Sequence, residues 1–264
     1  MLELRDIRKT FNLGTPTPNP ALRGISLRLK AGEFVTVIGS NGAGKSSLLN
    51  AIAGTFPIDN GQININGAEV TTWPEYKRAN LIGRVFQDPM MGTAAAMTIE
   101  ENLAMAIKRG EKRGLARGTN AQLRSKFKEY LGELGLGLEN RLSDKVKLLS
   151  GGQRQSLALI MATMSRPKLL LLDEHTAALD PKTAEQVSQL TNTIVEQYGL
   201  TVLMITHNME HALNTGTRTI MLHEGKIILD ISGPQRADMT IADLLQEFSR
   251  VRGEQLVDDR LLLA

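Results

Sequence analysis

The residues from Gly39 to Ser46 have the types and spacing of a loop that holds phosphate. They read Gly-Ser-Asn-Gly-Ala-Gly-Lys-Ser and match the pattern G-x-x-x-x-G-K-S/T. Glycines allow the backbone N–H groups of such a loop to close around phosphate oxygens, and the dipole of the following helix adds attraction. Lys45 should reach the β- and γ-phosphates, and the hydroxyl of Ser46 should bind Mg²⁺. We therefore predict a nucleotide site here.

Such a loop needs a strand before it and a helix after it. Residues 34–38 form a short run rich in β-branched residues that predicts the strand, and residues 45–53 predict the helix. A glycine-rich turn without a ligand is the alternative. The residues predicted to contact the nucleotide here are Gly39, Ser40, Asn41, Gly42, Ala43, Gly44, Lys45, Ser46 and Ser47.

Two carboxylates, Asp173 and Glu174, follow a run of leucines at 169–172. The run predicts a strand buried on both faces of a sheet, which delivers the carboxylates to its carboxyl end, where ligands bind in open α/β sheets. We expect Asp173 to hold Mg²⁺, directly or through water. Phosphoryl transfer depends on positioning and electrostatics, so no covalent nucleophile is needed. The alternative is an acidic strand cap.

A second potential anion site lies at residues 150–153, Ser-Gly-Gly-Gln. We predict that these residues open a helix over Arg154 to Met164, whose N-terminus carries a positive partial charge. One nucleotide cannot use both helix N-termini of a single subunit. As an isolated pattern, this segment is merely a helix cap.

Taken in this order, the phosphate loop, Ser150–Gln153 and Leu169–Glu174 resemble the ATP-binding cassette (ABC) ATPases, over nearly all of the chain. The resemblance implies ATP and Mg²⁺ as cofactors, and a homodimer, or a dimer with a close paralogue, that sandwiches two ATP head to tail. In such a dimer Ser150, Gly151, Gly152 and Gln153 cap the γ-phosphate bound by the other subunit. Glu174 polarises the attacking water.

Four further residues acquire roles by the same resemblance. Gln87 touches Mg²⁺ or the attacking water, His207 contacts the γ-phosphate, Asp180 belongs to a loop that crosses the dimer interface, and Phe11 stacks on adenine. The alternatives are a polar strand end for Gln87, a structural role for His207, a helix cap for Asp180 and a core position for Phe11. The predicted catalytic residues are Lys45, Gln87, Glu174 and His207, and the predicted magnesium ligands are Ser46, Gln87 and Asp173.

The fold implied by the resemblance is α/β. It is the P-loop NTPase fold of ABC ATPases, with a RecA-like core sheet, an N-terminal antiparallel β-subdomain and an α-helical subdomain. We expect one domain over 1–264, with the core and antiparallel subdomain at about 1–91 and 166–264 and the helical subdomain at about 92–165. Further strands are predicted before residue 35, at Ile63–Gly67 as an edge strand, at Leu81–Gln87, at Thr201–Thr206 and in a hairpin at Thr219–Ile231.

The bulk properties of the 264 residues agree with this class. A net charge of +3 is too small to indicate nucleic acid as a partner, and the absence of cysteine suits the cytosol. The start of the chain predicts no signal peptide, and no apolar run approaches the roughly 20 residues that a membrane span needs. Another chain must therefore do the spanning if the protein acts at a membrane.

The function predicted from these features is that of the ATPase subunit of a membrane transporter, peripheral on the cytoplasmic face of the inner membrane. Its partners are transmembrane permease subunits and, in an importer, an external substrate-binding protein. Residues 144–148 lack the acidic pattern typical of exporters, and the variant at 173–178 resembles a branch paired with small-solute importers, for which amino acids are a candidate by analogy. A soluble ABC ATPase, such as an iron–sulfur assembly factor, remains the alternative.

Several features carry two interpretations. His175 stands where the family commonly has proline, either as a tolerated loop change or as a titratable ring beside Glu174. The basic stretch 108–128 is either a solvated helical face or a patch for anionic lipid or an acidic partner. Met90, Met91 and Met97 belong either to the core or to a groove for a partner helix. Residues 207–211 match the H-x-x-E-H zinc pattern, but we expect no zinc, because His207 ends a strand.

Overall fold

The computed structural model describes residues 1–110 and 118–252. The chain divides into two compact units. The first is formed by Met1–Arg78 and Leu200–Ala264, and the second by Ala79–Gly199. The predicted subdomain boundaries stay a prediction.

The elements follow one another with mostly short connections. Before residue 79 they are β1 (Leu2–Phe11), β2 (Asn19–Leu29), β3 (Phe34–Gly39), α1 (Lys45–Ala53), β4 (Asn60–Ile65), β5 (Ala68–Glu69) and α2 (Glu75–Arg78). The second unit contains β6 (Ile82–Val85), α3 (Ile99–Ile107), α4 (Ala121–Glu133), a 3-10 turn (Val146–Leu148), α5 (Gly151–Thr163), β7 (Leu169–Asp173) and α6 (Pro181–Tyr198). The chain returns to the first unit with β8 (Thr201–Ile205), α7 (Met209–Asn214), β9 (Arg218–His223), β10 (Lys226–Ser232), α8 (Gly233–Ala237) and α9 (Ile241–Arg252).

An antiparallel sheet with the strand order β2-β1-β4-β5 makes up part of the first unit, as predicted for the start of the chain. Leu2, Leu4 and Ile7 of β1 are buried. The separation between successive buried residues increases from two to three positions because the register of β1 shifts between Leu4 and Ile7, where Asp6 has a φ of 47°. This irregularity keeps the apolar residues on the face that packs into the core.

The strand predicted at residues 63–67 is confirmed as β4, which ends at Ile65, but its predicted edge position is wrong. Strand β4 pairs with β1 on one side and with β5 on the other, so the edge strand is β5. The two strands are joined by Asn66 and Gly67, which have φ values of 52° and 84°. The type I′ turn of a two-residue hairpin needs positive φ at both residues, and Asn-Gly is its preferred pair. A two-residue strand such as β5 leaves no alternation that would reveal it.

The first unit also contains strands in the order β10-β9-β3-β8. Strand β3 pairs in parallel with β8 and β9, and β9 pairs antiparallel with β10. All six residues of β3 are buried, which a strand with a neighbour on each side and helices on its faces requires. The hairpin predicted around residues 224–225 is confirmed. A buried cluster joins this sheet to the terminal helices through Ile38, Met209, Ala212, Met221, Ile231, Leu244 and Phe248.

The second unit combines the parallel pair β6 and β7 with the helices. The core of the helices is apolar and includes Ile99, Leu103, Phe127, Leu131, Leu138, Leu157 and Ile160. Two helices begin with reciprocal side-chain caps, Thr98 with Glu101 on α3 and Ser150 with Gln153 on α5. Of the basic stretch 108–128, residues 111–117 lie outside the described residues.

The predicted start of α5 was three residues late. The helix runs from Gly151 to Thr163, and its N-cap is Ser150, whose side chain accepts a hydrogen bond from Gln153 N. Glycine has low helix propensity, so the two glycines suggest a turn before the helix. The cap determines the actual start, since a Ser followed three residues later by Gln satisfies the first free N–H groups.

Candidate active site

The phosphate loop connects β3 to α1 and is held by backbone hydrogen bonds. Ala43 N donates to Ser40 O at 3.1 Å, and Gly225 N donates to Ala43 O at 3.0 Å. Helix α1 begins at Lys45 with Gly44 as its N-cap, and no side chain caps it. The N–H groups of a helix N-terminus without a side-chain cap are donors for an anion. The predicted strand, loop and helix are confirmed as elements.

The conformation of this loop requires glycine at both ends. Gly44 has a φ of 99°, and a Cβ there would lie 2.5 Å from Ala21 O. Gly39 has a φ of 148°, and a Cβ there would collide with Leu222 O. Any side chain at either position would therefore be strained and would push the loop away from the strands behind it.

The Lys45 side chain lies along the loop. The residue is only 7% exposed, and Nζ donates to Gly39 O at 2.7 Å and to Ser40 O at 3.1 Å. These contacts place a positive charge beside the N–H groups of the loop. Ser46 is exposed on the first turn of α1, where its hydroxyl is accessible to a ligand.

His207 lies at the same sheet edge as the phosphate loop. Strands β3 and β8 run in parallel with Val37 opposite Ile205. His207 is two residues beyond Ile205, level with Gly39, because parallel strands advance at the same rate. The adjoining segment is tied down, since Thr206 N donates to Val37 O at 3.1 Å. The structure therefore brings His207 and the loop together at the carboxyl ends of these strands.

Phe11 does not belong to the buried core, so the alternative of a core phenylalanine is wrong. The ring is half-buried and packs edge to face with Phe56, with 5.0 Å between the ring centroids. Lys9 Nζ lies 5.7 Å from both centroids. Phe56 follows the C-terminal end of α1, whereas the phosphate loop lies at its N-terminal end. Adenine stacking by Phe11 stays a prediction.

In the second unit, Gln87, Asp173 and Glu174 lie at one edge of the pair β6 and β7. The strands are parallel with Val85 opposite Leu172, so Gln87 and Glu174 each stand two residues beyond a matched pair. The structure ends β6 at Val85, two residues before the predicted end at Gln87. Gln87 is exposed and both carboxylate residues are half-buried.

Glu174 has a left-handed backbone, with a φ of 44°. Such a conformation costs a non-glycine residue about 1–3 kcal/mol and persists only where the surroundings impose it. Ala177 N donates to Glu174 O at 3.0 Å, which closes a turn directly after β7. Strain of this kind concentrates at functional sites, where a side chain must point in one direction.

The glycines Gly151 and Gly152 at the start of α5 differ in what surrounds them. A Cβ on Gly152 would collide with Thr183 of α6, so packing inside the unit excludes any side chain there. A Cβ on Gly151 would meet only Leu179 Cδ2, at an ordinary 3.6 Å. Ser150 and Gly151 are both exposed. The fold of this subunit therefore accounts for Gly152 but leaves Gly151 without an internal reason to be glycine.

Asp180 caps helix α6, as the structural alternative proposed. Its Oδ1 accepts a hydrogen bond from Thr183 N at 3.1 Å, and Pro181 follows it in the first turn. The hydrogen bonds from the Thr183 side chain and backbone hold the pKa of the Asp180 carboxyl below its usual range. Since Thr183 also packs on Gly152, the Asp180 cap and the start of α5 lie next to each other. A role in a dimer interface stays a prediction.

Residues 207–211 do not form the helix that the H-x-x-E-H zinc pattern requires. His207 precedes the N-cap Asn208, and only His211 lies within α7. Burial lowers the pKa of His211. Among the described residues no three His, Cys, Asp or Glu side chains form a group able to hold a metal.

Comparison with known proteins identifies the class of this chain. Residues 22–177 match the protein family described as ABC transporter. The chain belongs to the ABC transporter family. A tyrosine transport ATP-binding protein from Clostridioides difficile (strain R20291) is 44% identical over 252 residues, covering 94% of this chain and 98% of that protein. A methionine import ATP-binding protein from Rhizobium johnstonii is 36% identical, covering 86% of this ABC ATPase and 60% of that protein.

Solved structures share the fold of this ABC ATPase. A dimeric ATP-binding cassette in a post-hydrolysis state, bound to ADP and Pi, matches with a TM-score of 0.75 at 30% identity, covering 88% of this chain and 98% of that chain. The ADP conformation of an ATP-binding cassette of an ABC transporter matches with a TM-score of 0.78 at 25% identity, covering 96% and 99%. The predicted fold class and the assignment as an ATPase that binds ATP are confirmed.

The predicted magnesium ligands of this ABC ATPase have suitable chemistry. Ser46 offers a hydroxyl, Gln87 an amide oxygen and Asp173 a carboxylate. Mg²⁺ prefers oxygen donors and is usually held by one or two carboxylates together with phosphates of the substrate. The oxygen donors of these three residues therefore suit Mg²⁺, and their role as its ligands stays a prediction.

Sequence reasoning missed three polar residues that support the site. Arg84 on β6 forms an ion pair with Asp173, and Gln155 on α5 donates from Nε2 to Phe86 O at 3.1 Å. Thr191 on α6 hydrogen-bonds to His175. Each contact joins residues far apart in the sequence, so no local pattern could have revealed it. In the described part of this ABC ATPase, no helix is both long and apolar enough to cross a bilayer.

Proposed function

We propose that this ABC ATPase is the ATP-hydrolysing subunit of an importer and powers passage of a small solute through a separate transmembrane permease. The observation that carries the proposal is the match, at 44% identity over 98% of its length, to a protein named as a tyrosine transport ATP-binding protein. The phosphate loop and the carboxylates after β7 supply the chemistry that such a subunit needs. An amino acid is the solute class that this relative suggests, and tyrosine is the first to test.

Binding of the triphosphate depends on the first unit. The N–H groups at the start of α1 and the Lys45 ammonium bind the β- and γ-phosphates, and Ser46 directs its hydroxyl to the metal. Ser46, Gln87 and Asp173 are the residues that would hold Mg²⁺, which would neutralise charge on the phosphates. Phe11 stacks on the adenine ring, and Ser40, Asn41 and Ser47 complete the polar lining of the loop.

Hydrolysis depends on Glu174 and on two polar partners. The carboxylate of Glu174 accepts a hydrogen bond from the attacking water and orients it towards the γ-phosphate. Its left-handed backbone supports this role because it fixes where the side chain leaves the end of β7. His207 donates to the γ-phosphate, and Gln87 contacts the water or the metal.

Two copies of the chain assemble around two ATP molecules in this proposal. The exposed start of α5 in one protomer, Ser150 to Gln153, caps the γ-phosphate bound by its partner, and Asp180 lies at the same interface. The exposed Gly151 supports this arrangement, since a side chain there would block a close approach by an external group. The related cassette solved as a dimer supports it as well.

The permease contacts an exposed apolar surface of the second unit, the methionine patch, defined by Met90, Met91 and Leu148. Their exposed fractions are 47%, 68% and 64%, so the alternative of a core position is wrong for the two methionines. Arg154 supports the patch, since its guanidinium contacts the sulfur of Met90 and donates to Lys147 O and Leu149 O. Flexible methionine surfaces suit a partner helix.

Hydrogen bonds to neighbouring residues hold the segment that carries Met90 and Met91. Asn102 is fully buried, and its side chain exchanges hydrogen bonds with Ala94 N and Ala94 O. Thr93 Oγ1 donates to Pro89 O at 2.9 Å, and Met90 N donates to Asp88 Oδ1 at 2.8 Å. The segment is therefore ordered while its methionines face outwards. Exposed large apolar side chains on an ordered segment are typical of an interaction site.

The proposed location follows from these partners. A subunit that docks on a permease and uses ATP works on the cytoplasmic face of the cell membrane. An external substrate-binding protein would deliver the solute to the permease from the other side. The competing function, a soluble ABC ATPase such as an iron–sulfur assembly factor, predicts no stable association with a permease.

The experiment that tests the proposal is solute uptake by membrane vesicles containing the permease that co-purifies with this chain. We expect ATP-dependent uptake of radiolabelled tyrosine when the wild-type chain is present, and none with Glu174→Gln, which keeps the shape of the side chain but not its charge. A panel of other amino acids distinguishes a wrong solute from a wrong function. A chain that never co-purifies with a multi-span protein from solubilised membranes would contradict the transporter proposal.

A further inference from the structure

We propose that His175 is a positioning residue that holds the catalytic turn at Glu174 through a buried hydrogen bond to Thr191. The proposal rests on the catalytic role of Glu174 proposed above. His175 directly follows Glu174 at the end of β7, and Thr191 lies in the middle of α6. Both residues are 2% exposed. The distance between His175 Nε2 and Thr191 Oγ1 is 3.1 Å.

The direction of this hydrogen bond follows from the other contact of Thr191. Thr191 Oγ1 donates its single proton to Val187 O, one turn earlier on α6, at 2.7 Å. A hydroxyl group has one donor hydrogen and two acceptor lone pairs. Thr191 therefore accepts from His175, and His175 Nε2 carries a hydrogen.

Burial makes the hydrogen bond between His175 and Thr191 costly to break. A buried polar group that loses its hydrogen-bond partner pays the full cost of its lost hydration. Neither the ring of His175 nor the hydroxyl of Thr191 can turn away without losing that bond. The backbone at His175 is thus attached to α6, an element that is itself fixed by its buried residues Val187, Leu190 and Ile194.

This attachment maintains the conformation of the preceding residue. Glu174 has a φ of 44°, which a glutamate adopts only when neighbouring contacts impose it. On one side, β7 holds the chain up to Asp173. On the other side, the anchored His175 determines where the chain must go. The ABC ATPases that this chain resembles commonly have proline here, which restricts the backbone through its own ring. His175 imposes the restriction through a side chain instead.

The test compares variants of both partners in purified full-length protein. His175→Leu removes the donor, and Thr191→Val removes the acceptor with little change of shape. His175→Gln keeps an N–H donor at the same reach, and Thr191→Ser keeps the hydroxyl. Thr193→Val is the matched control, because the Thr193 hydroxyl also donates one turn back, to Gln189 O at 3.0 Å, but is exposed and has no histidine partner.

We expect the first two variants to lower kcat for ATP hydrolysis by about tenfold or more, with less than about a twofold change in KM, since misplacing a catalytic group affects the chemical step. The double variant should lose no more than the worse single variant, because both remove the same bond. His175→Gln and Thr191→Ser should recover activity to within about threefold of wild type. Thr193→Val should equal wild type.

Nitrogen NMR of histidine-labelled protein gives an independent readout. His175 Nε2 should carry a hydrogen and show the chemical shift of a hydrogen-bonded N–H group, and Thr191→Val should change that shift. Wild-type kcat in both His175→Leu and Thr191→Val would overturn the proposal, and so would additive losses in the double variant. If Glu174→Gln hydrolyses ATP as fast as wild type, the proposed catalytic role fails instead, whatever the NMR shows.

Discussion

Arg84 and Asp173 form an ion pair across the neighbouring parallel strands β6 and β7. Arg84 Nη2 lies 3.7 Å from Asp173 Oδ2, and the side chains are only 13% and 15% exposed. Arg84 stands opposite Leu171 in the sheet, so Asp173, two residues further along, shares its face. The guanidinium carbon also lies 4.4 Å from the centre of the Phe86 ring, a favourable cation–π distance. The proposed magnesium ligand thus has a fixed positive neighbour.

We expect Arg84→Gln to lower the melting temperature without nucleotide and to enlarge the increase that MgATP produces. The substitution removes one positive neighbour from a largely buried carboxylate, and Mg²⁺ then meets less competition for it. Differential scanning fluorimetry with and without MgATP measures both effects. Arg5→Gln is the control, because the pair of Arg5 with Glu3 is exposed and should contribute little. The same shifts in both variants would contradict a special role of Arg84.

Lys45 of the phosphate loop should be required for tight binding of ATP. Lys45→Ala should weaken ATP binding by at least about tenfold, because a charged contact to phosphate contributes about 1.5–3 kcal/mol. Isothermal titration calorimetry measures the affinity. Lys77→Ala, which removes an exposed lysine that stacks on Trp73, should bind ATP like wild type. An unchanged affinity of Lys45→Ala would refute the assignment of the loop.

The two glycines of α5 should respond differently to substitution. Gly152→Ala should destabilise the fold, because its methyl group collides with Thr183. Gly151→Val should leave the melting temperature of the monomer nearly unchanged and abolish the ATP-bound dimer. The dimer is best trapped in the Glu174→Gln background, where ATP binds but is not hydrolysed, and measured by size exclusion. In that background Ser150→Arg should also give monomers, and a persistent dimer would show that this segment is not at the interface.

Charge on the methionine patch should prevent recruitment to membranes. The double variant Met90→Asp and Met91→Asp places two carboxylates where an apolar partner surface is proposed. Burying these charges against the partner should cost roughly several kcal/mol of binding free energy. ATP binding by the isolated chain should persist. Leu13→Asp, at a residue that is 76% exposed in the first unit, should not change co-sedimentation with permease-containing membranes. Equal retention of both variants would exclude this docking site.

Acid should destabilise the protein partly through His211. Burial lowers the pKa of this ring below its ordinary value of 6.5, so the unfolded chain binds the proton more readily than the folded one. Stability is therefore complete above about pH 6.5 and falls as the pH decreases towards the folded-state pKa. The urea midpoint of wild type should drop between pH 7.5 and 5.5 by more than that of His211→Gln. Parallel decreases in the two proteins would assign the acid sensitivity elsewhere.

The parts of this protein that sequence reasoning predicted are those with local causes. Helix α1 begins after Gly44 and ends before Gly54, both of which have left-handed backbones, and such glycines mark helix ends in the sequence. The hairpin at Glu224 and Gly225 follows from the same turn chemistry. The order of the motifs was sufficient to recognise the family, and the fold of that family gave the predicted arrangement of sheets and helices.

The parts that were missed have causes distant in the sequence. The reason for glycine at Gly152 is Thr183 on another helix, and the partner of His175 is Thr191 on the same distant helix. Tertiary contacts of this kind depend on the packing of whole elements, which periodicity does not specify. Strand β5 is the exception, because its cause is the adjacent Asn-Gly turn that folds the chain back onto β4, but its two residues show no pattern of their own.

The hydrogen bond from Gln155 to Phe86 O has a mechanical consequence. Gln155 lies in the second turn of α5, is 1% exposed, and donates a hydrogen bond to the backbone immediately before Gln87. This buried hydrogen bond joins the start of α5 directly to the backbone next to Gln87, although 69 residues separate the two bonded residues in the chain. We therefore expect a displacement of the start of α5 to alter the position of Gln87.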